Sequence, residues 1–351
     1  MPTVDPGQTS KHWDSDPWNT GQVMFWLQHP SVQRRLAIKE SGKPDGSWID
    51  YTLETYFAGR LPLARCLSLG CGRGQVERTW AARNAFAACD AYDISPASIA
   101  DAVAAANADG CTSIHFAVAD INQIELPPQT YDAAWAVGSA HHFSNLEHIF
   151  AQVVRTLKPD GLFILHEYIG ASRFQFDKRQ RQVLEACLNL LPAEYRMLPP
   201  APAAAGSLLA APAARRSARW IIRRTLDKLA EGSFWSTAGR YWRRRQAIQA
   251  GQRPIKETAI ATLRSVIAVD PSEAVRSDEI MPVLQTMFDV VEFRPLGGAI
   301  LQFLLADIAG NFETEDSERL MEMLFTIEDT LMAIGDLPSD FAYIVARPRN
   351  S

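Results

Sequence analysis

Nowhere in its 351 residues does the chain reach the ~20 uninterrupted apolar residues that a membrane-spanning helix needs. Cysteine is scarce. Cys66, Cys71, Cys89, Cys111 and Cys187 show neither metal-binding spacing nor a disulfide framework. Met1 to Ser10 lacks the basic-then-apolar build of a secretory leader, so the expectation is a cytoplasmic chain with reduced thiols. A third glycine is missing where a dinucleotide loop requires one. The spacing G-x-G-x-x-G starts at Gly70 and Gly72 but meets Gln75 at its last position, which makes a pyrophosphate loop the weaker reading. What is left, 47% hydrophobic and 21% charged, is the balance of a soluble globular protein.

Charge is unevenly spread. The net charge is −5, yet twelve lysines and arginines lie between Pro200 and Lys256 against only Asp227 and Glu231. The rest of the chain is therefore strongly acidic. Arg215 to Ala230 reads as a helix with Ala218, Ile222, Leu226 and Leu229 on one face and arginines on the other, after an Ala/Pro-rich linker from Leu198 to Ala214. Phe234, Trp235, Tyr241, Trp242 and Arg243 to Arg245 follow. Three readings of residues 215–245 stay open: a basic face solvated or docked on the acidic core, a peripheral membrane contact, or a nucleic-acid contact. No recognised RNA-binding module supports the last, so nucleic acid is not an expected partner.

The densest information sits at Leu67-Ser68-Leu69-Gly70-Cys71-Gly72-Arg73-Gly74. An apolar strand pattern runs into glycines spaced two apart, and a helical pattern starts at Gln75. Such a turn lets a ligand approach the main chain, which a side chain would block. Cys71 fits there by its small size. Cys66 and Cys89 fall inside strand patterns and are expected as buried thiols.

With these residues the chain resembles the class I S-adenosylmethionine-dependent methyltransferases, whose first motif reads like Leu69 to Gly74. Four more segments agree in order: Ala91-Tyr92-Asp93-Ile94; Ile114 to Val118 followed by Ala119-Asp120-Ile121; Tyr131 to Val137; and Leu157-Lys158-Pro159-Asp160-Gly161. The last departs from the usual Leu-Lys-Pro-Gly-Gly by one residue, and Asp is a tolerated turn former. The resemblance implies S-adenosylmethionine as cofactor. It implies that Leu69, Gly70, Cys71, Gly72, Gly74, Asp93, Ile94, Asp120, Ile121, Val137 and Gly138 bind it, with Asp93 on the ribose hydroxyls and Asp120 near the adenine amino group.

Strand patterns at 66–70, 89–94, 114–120, 131–137 and 161–168 alternate with helical ones, which argues for an α/β fold with helices on both faces of a mostly parallel sheet. The segment Asn145 to Leu157 reads helical, with Asn145 as its cap. Val290 to Arg294 and Phe341 to Ala346 fit the sixth strand and the antiparallel seventh of the family's Rossmann-like, seven-stranded sheet. The expected division is an N-terminal helical cover (1–60), a cofactor-binding core (61–170), a helical lid insertion between strands five and six (171–285), and a C-terminal completion of the sheet (286–351). Trp13, Trp18, Trp26, Trp48, Tyr51 and Tyr56 in the first part either cover the site or pack on the sheet edge.

Methyl transfer from a sulfonium is an in-line displacement that needs alignment and, for a hydroxyl acceptor, a base. Candidates should lie at the carboxyl ends of strands four and five. His142 is the first candidate base, His141 the second, and Glu167 a partner for a histidine or for a substrate hydroxyl. One Glu beside one His is too little to propose a metal. Glu167 to Phe176 and Asp270 to Ser277 further resemble a bacterial branch associated with sugar and polysaccharide modification. There Arg173 and Arg276 either orient an acidic group or close structural ion pairs. The leading expectation is methylation of a hydroxyl on a sugar-bearing or other small acceptor, at a membrane's inner face if the basic block docks there. The alternatives are a natural-product or lipid methyltransferase acting on O, N or C, and a non-catalytic cofactor-binding scaffold.

Overall fold

The computed structural model describes residues 4–14, 24–199, 234–258 and 261–349. Helix α1 (Pro6–Asp14), α2 (Pro30–Ser41) and α3 (Trp48–Tyr56) precede the sheet. Then come β1 (Cys66–Leu69), α4 (Gln75–Ala82), β2 (Cys89–Asp93), α5 (Pro96–Ala108), β3 (Ile114–Val118), β4 (Tyr131–Val137), α6 (Leu146–Thr156) and β5 (Leu157–Tyr168). After β5 the chain leaves the sheet through α7 (Lys178–Leu190), α8 (Phe234–Gln249), α9 (Leu263–Val269) and α10 (Ile280–Met287). It returns as β6 (Phe288–Gly297), continues through α11 (Leu301–Leu305) and α12 (Glu315–Ala333), and ends on β7 (Phe341–Pro348).

The seven strands lie in the order β3-β2-β1-β4-β5-β7-β6. The pairs β1 to β5 are parallel, and β7 runs antiparallel between β5 and β6. This is a Rossmann-like, mostly parallel sheet with helices on both faces. The burial of β1 and β4 explains why their sequences read as continuous apolar runs rather than alternating ones. On one face Leu67, Ala134, Phe163 and Ile344 pack against α6 and α10, and on the other Cys66, Trp135, Ile164 and Val345 pack against α3 and α4. Trp80 of α4 stacks on Trp135 of β4 with ring centroids 4.5 Å apart. The helices on either side of β6 gather a separate apolar cluster in which Leu184, Leu304, Phe312 and Leu324 surround Trp26.

Two expectations need correction. Leu157 to Gly161 is not a turn ahead of β5. Leu157 already pairs with Tyr131, and the next registered pair is Ala133 with Leu162, so residues 158–161 bulge out of a continuous strand. Lys158 Nζ, 2.9 Å from Asp132 Oδ1, ties the bulge to β4. Asn145 does not cap α6 with its side chain, because its amide donates to the carbonyl of Asn122 instead. Cys66 and Cys89 are buried as expected. Trp18 and residues 200–233, including the arginine-faced segment 215–230 and most of the Ala/Pro-rich stretch, lie outside the described residues.

Candidate functional site

The strand order reverses between β1 and β4, and open α/β sheets bind ligands at the carboxyl ends of strands where this happens. One wall of that crevice is the loop 70–74. Gly72 has φ +52°, and a Cβ there would meet no protein atom within 4 Å, so the main chain is bare on its outer side. Gly74 (φ +70°) is different: a Cβ would strike the Phe116 ring at 2.6 Å, so this glycine serves packing. Asp93, at the end of β2, steadies the loop. Its Oδ2 accepts from Gly72 N at 2.8 Å and its Oδ1 from Ser95 N at 2.9 Å. Burial raises the Asp93 pKa against these stabilising bonds. Ile94 follows Asp93 beside the loop. Asp120 accepts from Asn122 N, Asn122 Nδ2 and Gln123 Nε2, which caps a short turn, and Ile121 beside it is buried. Cys71 is partly buried with a raised thiol pKa, caused first by burial, which agrees with a packing residue rather than a nucleophile.

The opposite wall follows β4. Val137 ends that strand, and Gly138 (φ +58°) turns the chain away from it. The two walls touch: Ser139 Oγ donates to Leu69 O at 2.7 Å, and a Cβ on Gly70 would fall 2.5 Å from Ser139 Cβ. Glu167 of β5 lies beneath, 1% exposed. Its Oε1 accepts from Ser139 N and Ala140 N at 2.5 and 2.6 Å, and its Oε2 lies 2.8 Å from His141 Nδ1. One carboxylate therefore fixes both the turn and the imidazole. Burial disfavours charge on His141, but Glu167 outweighs it and the pKa is raised.

His142 is held by a turn 130 residues further on. Ser272 gives its hydroxyl proton to Asp270 Oδ1 at 2.7 Å, so its oxygen accepts from His142 Nδ1 at 3.0 Å. The lone pair of the neutral ring is then on Nε2. Burial, followed by the neighbouring His141 and His12, depresses the His142 pKa well below the usual histidine range. Trp13 of α1 meets the His142 ring edge-on at 5.0 Å, and His12 Nε2 lies 3.9 Å from Asp270 Oδ2. Glu273 projects toward His141, with its Oε1 3.9 Å from His141 Nε2, and burial raises its pKa to about 7.

Of the residues expected at the site, His141, His142 and Glu167 come together. Arg173 joins them, buried, with Nη1 donating to Glu273 O at 3.0 Å. Arg276 takes the structural alternative, paired at 2.7 Å with Glu147 and at 2.5 Å with Glu279. The aromatic residues before β1 divide. Trp13 stands over the site, whereas Trp26 packs on Phe341, Trp48 packs on Trp80 and Tyr343, and Tyr51 and Tyr56 donate to Glu292 on β6. Asp270, Ser272, Glu273 and His12 were not candidate site residues. The turn Asp270-Pro271-Ser272-Glu273 was visible, but nothing in its local sequence ties it to a histidine pair so far upstream.

In the described part of the basic block, α8 leaves Tyr241, Trp242 and Ile248 exposed, and Arg243 pairs with Glu257 at 2.6 Å. Among the described residues, no helix is long and apolar enough to cross a membrane.

Residues 67–165, from β1 to β5, match the family of the methyltransferase domain. Over 116 residues the chain is 31% identical to the 27-O-demethylrifamycin SV methyltransferase of Amycolatopsis mediterranei, covering 32% of this chain and 42% of that protein. A sterol methyltransferase-like protein of Botryococcus braunii is 27% identical over 133 residues, covering 37% and 34%. Among solved structures, an S-adenosylmethionine-dependent methyltransferase of Clostridium acetobutylicum superposes with a TM-score of 0.32 at 23% identity, covering 39% of this chain and 53% of that one. The chain thus spans 42% or less of the curated relatives it matches here. Residues 67–165 carry the sequence pattern of a methyltransferase domain.

Proposed function

We propose that the protein is an S-adenosylmethionine-dependent methyltransferase acting on a hydroxyl of a small-molecule acceptor. One observation carries the reading: a main-chain loop bare at Gly72 and pinned by Asp93 adjoins, through Ser139, the turn that carries the histidine pair at the β1–β4 switch point. Bound there, S-adenosylmethionine supplies a methyl group already activated on a sulfonium. Leu69, Gly70, Cys71 and Gly72 would form the cradle, with Gly74 closing the loop by its packing on Phe116. Asp93 would offer its remaining lone pairs to the ribose hydroxyls, Ile94, Asp120 and Ile121 would hold the adenine, and Val137 and Gly138 would close the far side.

The chain's remaining work is alignment, exclusion of water and proton removal. His142, neutral at pH 7 with Nε2 free to accept, takes the acceptor proton. His141, held by Glu167, keeps the pair in register. Trp13 and the turn Asp270–Glu273 flank the histidine pair where the acceptor would lie. The relatives' names mention a rifamycin and sterols, which supports a small-molecule acceptor; the rifamycin name goes with methylation on oxygen, the sterol names with methylation on carbon. The sugar-bearing acceptor rests only on the pattern of residues 167–176 and 270–277. Methyl incorporation from radiolabelled S-adenosylmethionine into lipid, glycan and small-molecule fractions of cell extract tests the reading. Transfer into one fraction, lost in His142→Ala, is expected; cofactor binding with no transfer into any fraction favours a scaffold.

A second reading concerns placement. On α8, Tyr241, Arg244, Arg245 and Ile248 share a face, and the aromatic side chains are about 60% exposed, which suits a peripheral contact with an anionic membrane surface. Wild-type protein should float with anionic liposomes, and Tyr241→Ser with Trp242→Ser should not. Equal flotation removes this reading.

A further inference from the structure

We propose that His141, His142 and Glu273 bind a divalent first-row transition ion of the zinc type. One ligand atom from each residue lies within 4.8 Å of those of the other two. Tetrahedral ligands at ~2.0–2.1 Å from one ion lie ~3.4 Å apart, so side-chain shifts of up to about 1 Å close the site.

The surroundings are those of a supported metal centre. His141 Nδ1 is taken by Glu167, and His142 Nδ1 by the Ser272–Asp270 pair. Metal-bound histidines show this arrangement, in which an outer carboxylate or hydroxyl fixes the ring and leaves Nε2 for the ion. Glu273 makes no side-chain hydrogen bond to any described residue, although its carboxylate is largely enclosed. Asp270 Oδ2 is likewise buried without a hydrogen-bond partner. Among the described residues beside the pair, three carboxylates (Glu167, Asp270 and Glu273) stand against the permanent cation Arg173 and against His141, which Glu167, opposing burial, draws toward its charged form. The local balance still favours a further positive charge. Two imidazoles and one carboxylate select zinc or ferrous iron over magnesium and calcium, which prefer oxygen throughout. Three protein ligands leave a coordination position for an oxygen donor.

Ion binding stands apart from the methyl-transfer reading, but its catalytic meaning rests on that reading. In the ion-bound protein His142 Nε2 would be a ligand, so the proton of an acceptor hydroxyl whose pKa the ion lowers would pass to solvent, and the general-base role of His142 belongs to the ion-free protein.

The test is calorimetric titration of the full chain, stripped with a chelator, using ZnCl2, with CoCl2 as a visible-absorption probe. One equivalent of either ion and cobalt d–d bands of a low-coordinate nitrogen–oxygen site are expected. Glu273→Gln and His142→Gln should each weaken zinc affinity at least about tenfold. S-adenosylmethionine titrated into the same proteins, with circular dichroism, shows that the variants are folded and reports on the cofactor site independently. No stoichiometric zinc uptake by the wild type, or unchanged affinity in Glu273→Gln, overturns the proposal. Zinc binding without S-adenosylmethionine binding upholds the ion site and rejects the methyl-transfer reading.

Discussion

On the β1–β2 wall of the crevice, the contacts that set the loop and its acids are local: Asp93 with Gly72 and Ser95, and Asp120 with Asn122 and Gln123. Asp14 of α1 reaches Ser95 from outside. The β4–β5 wall is a composite. His141 leans on Glu167, His142 on Ser272 and Asp270, and Trp13 arrives from the first described helix. The first wall is a loop that presents main chain, and any side chain added at its outer face obstructs. The second presents side chains whose protonation depends on partners from other elements, 26 residues away for His141 and 130 for His142. A binding function can be built from a local motif, while proton chemistry here needs the tertiary fold.

Breaking the composite wall should cost most. His142→Ala is expected to lower turnover by about 10²–10⁴, the usual worth of a general base, and to leave cofactor affinity within about twofold. Comparing kcat with the calorimetric Kd checks this. Weakened cofactor binding would mean that the two walls are not separable. Gly72→Val sharpens the other side. No protein atom lies within 4 Å of its Cβ, so loss should fall on the ligand: at least about tenfold weaker S-adenosylmethionine binding, with about 2 kcal/mol of stability lost to the positive φ. Asp93→Ala removes the acceptor for the ribose and should cost about 1–3 kcal/mol of cofactor binding.

A reference point lies away from both walls. Asp340, at the start of β7, accepts from Gln180 Nε2 of α7 at 2.8 Å, and burial raises its pKa to about 7. Its folded pKa stands above the unfolded value, so it adds stability at low pH. That contribution is lost as pH rises from near 4 to about 7. Asp340→Asn should flatten this slope, gaining on the order of 1–2 kcal/mol over wild type at pH 8 and nothing at pH 4. Thermal melts across pH measure it. The smallest effect is expected from Arg276→Ala. Its partners Glu147 and Glu279 are exposed, so the loss is below about 1 kcal/mol and turnover should hold.

The sheet was legible because β1 and β4 are apolar on both faces and because glycines, acids and strand ends recur in order between Leu67 and Gly161. The bulge at 158–161 was not, since a one-residue departure in a turn motif looks the same whether it precedes a strand or interrupts one. His141, His142 and Glu167 could be placed at strand ends from pattern alone. Their partners could not. Asp270, Ser272 and Glu273 sit on an ordinary turn, and only the packing of the segment between β5 and β6 brings them to the histidines. The same limit applied to Asn145, whose neighbour Asn122 drew its amide away from the cap.

The central claim is that the bare loop at Gly72, held by Asp93, receives S-adenosylmethionine. Calorimetric titration of the intact chain with this sulfonium, in wild type and Gly72→Val, tests it most directly. The account requires one-to-one binding by the wild type, weakened at least about tenfold in the variant while the fold persists. No heat of binding in the wild type, or equal affinity in both proteins, would contradict it.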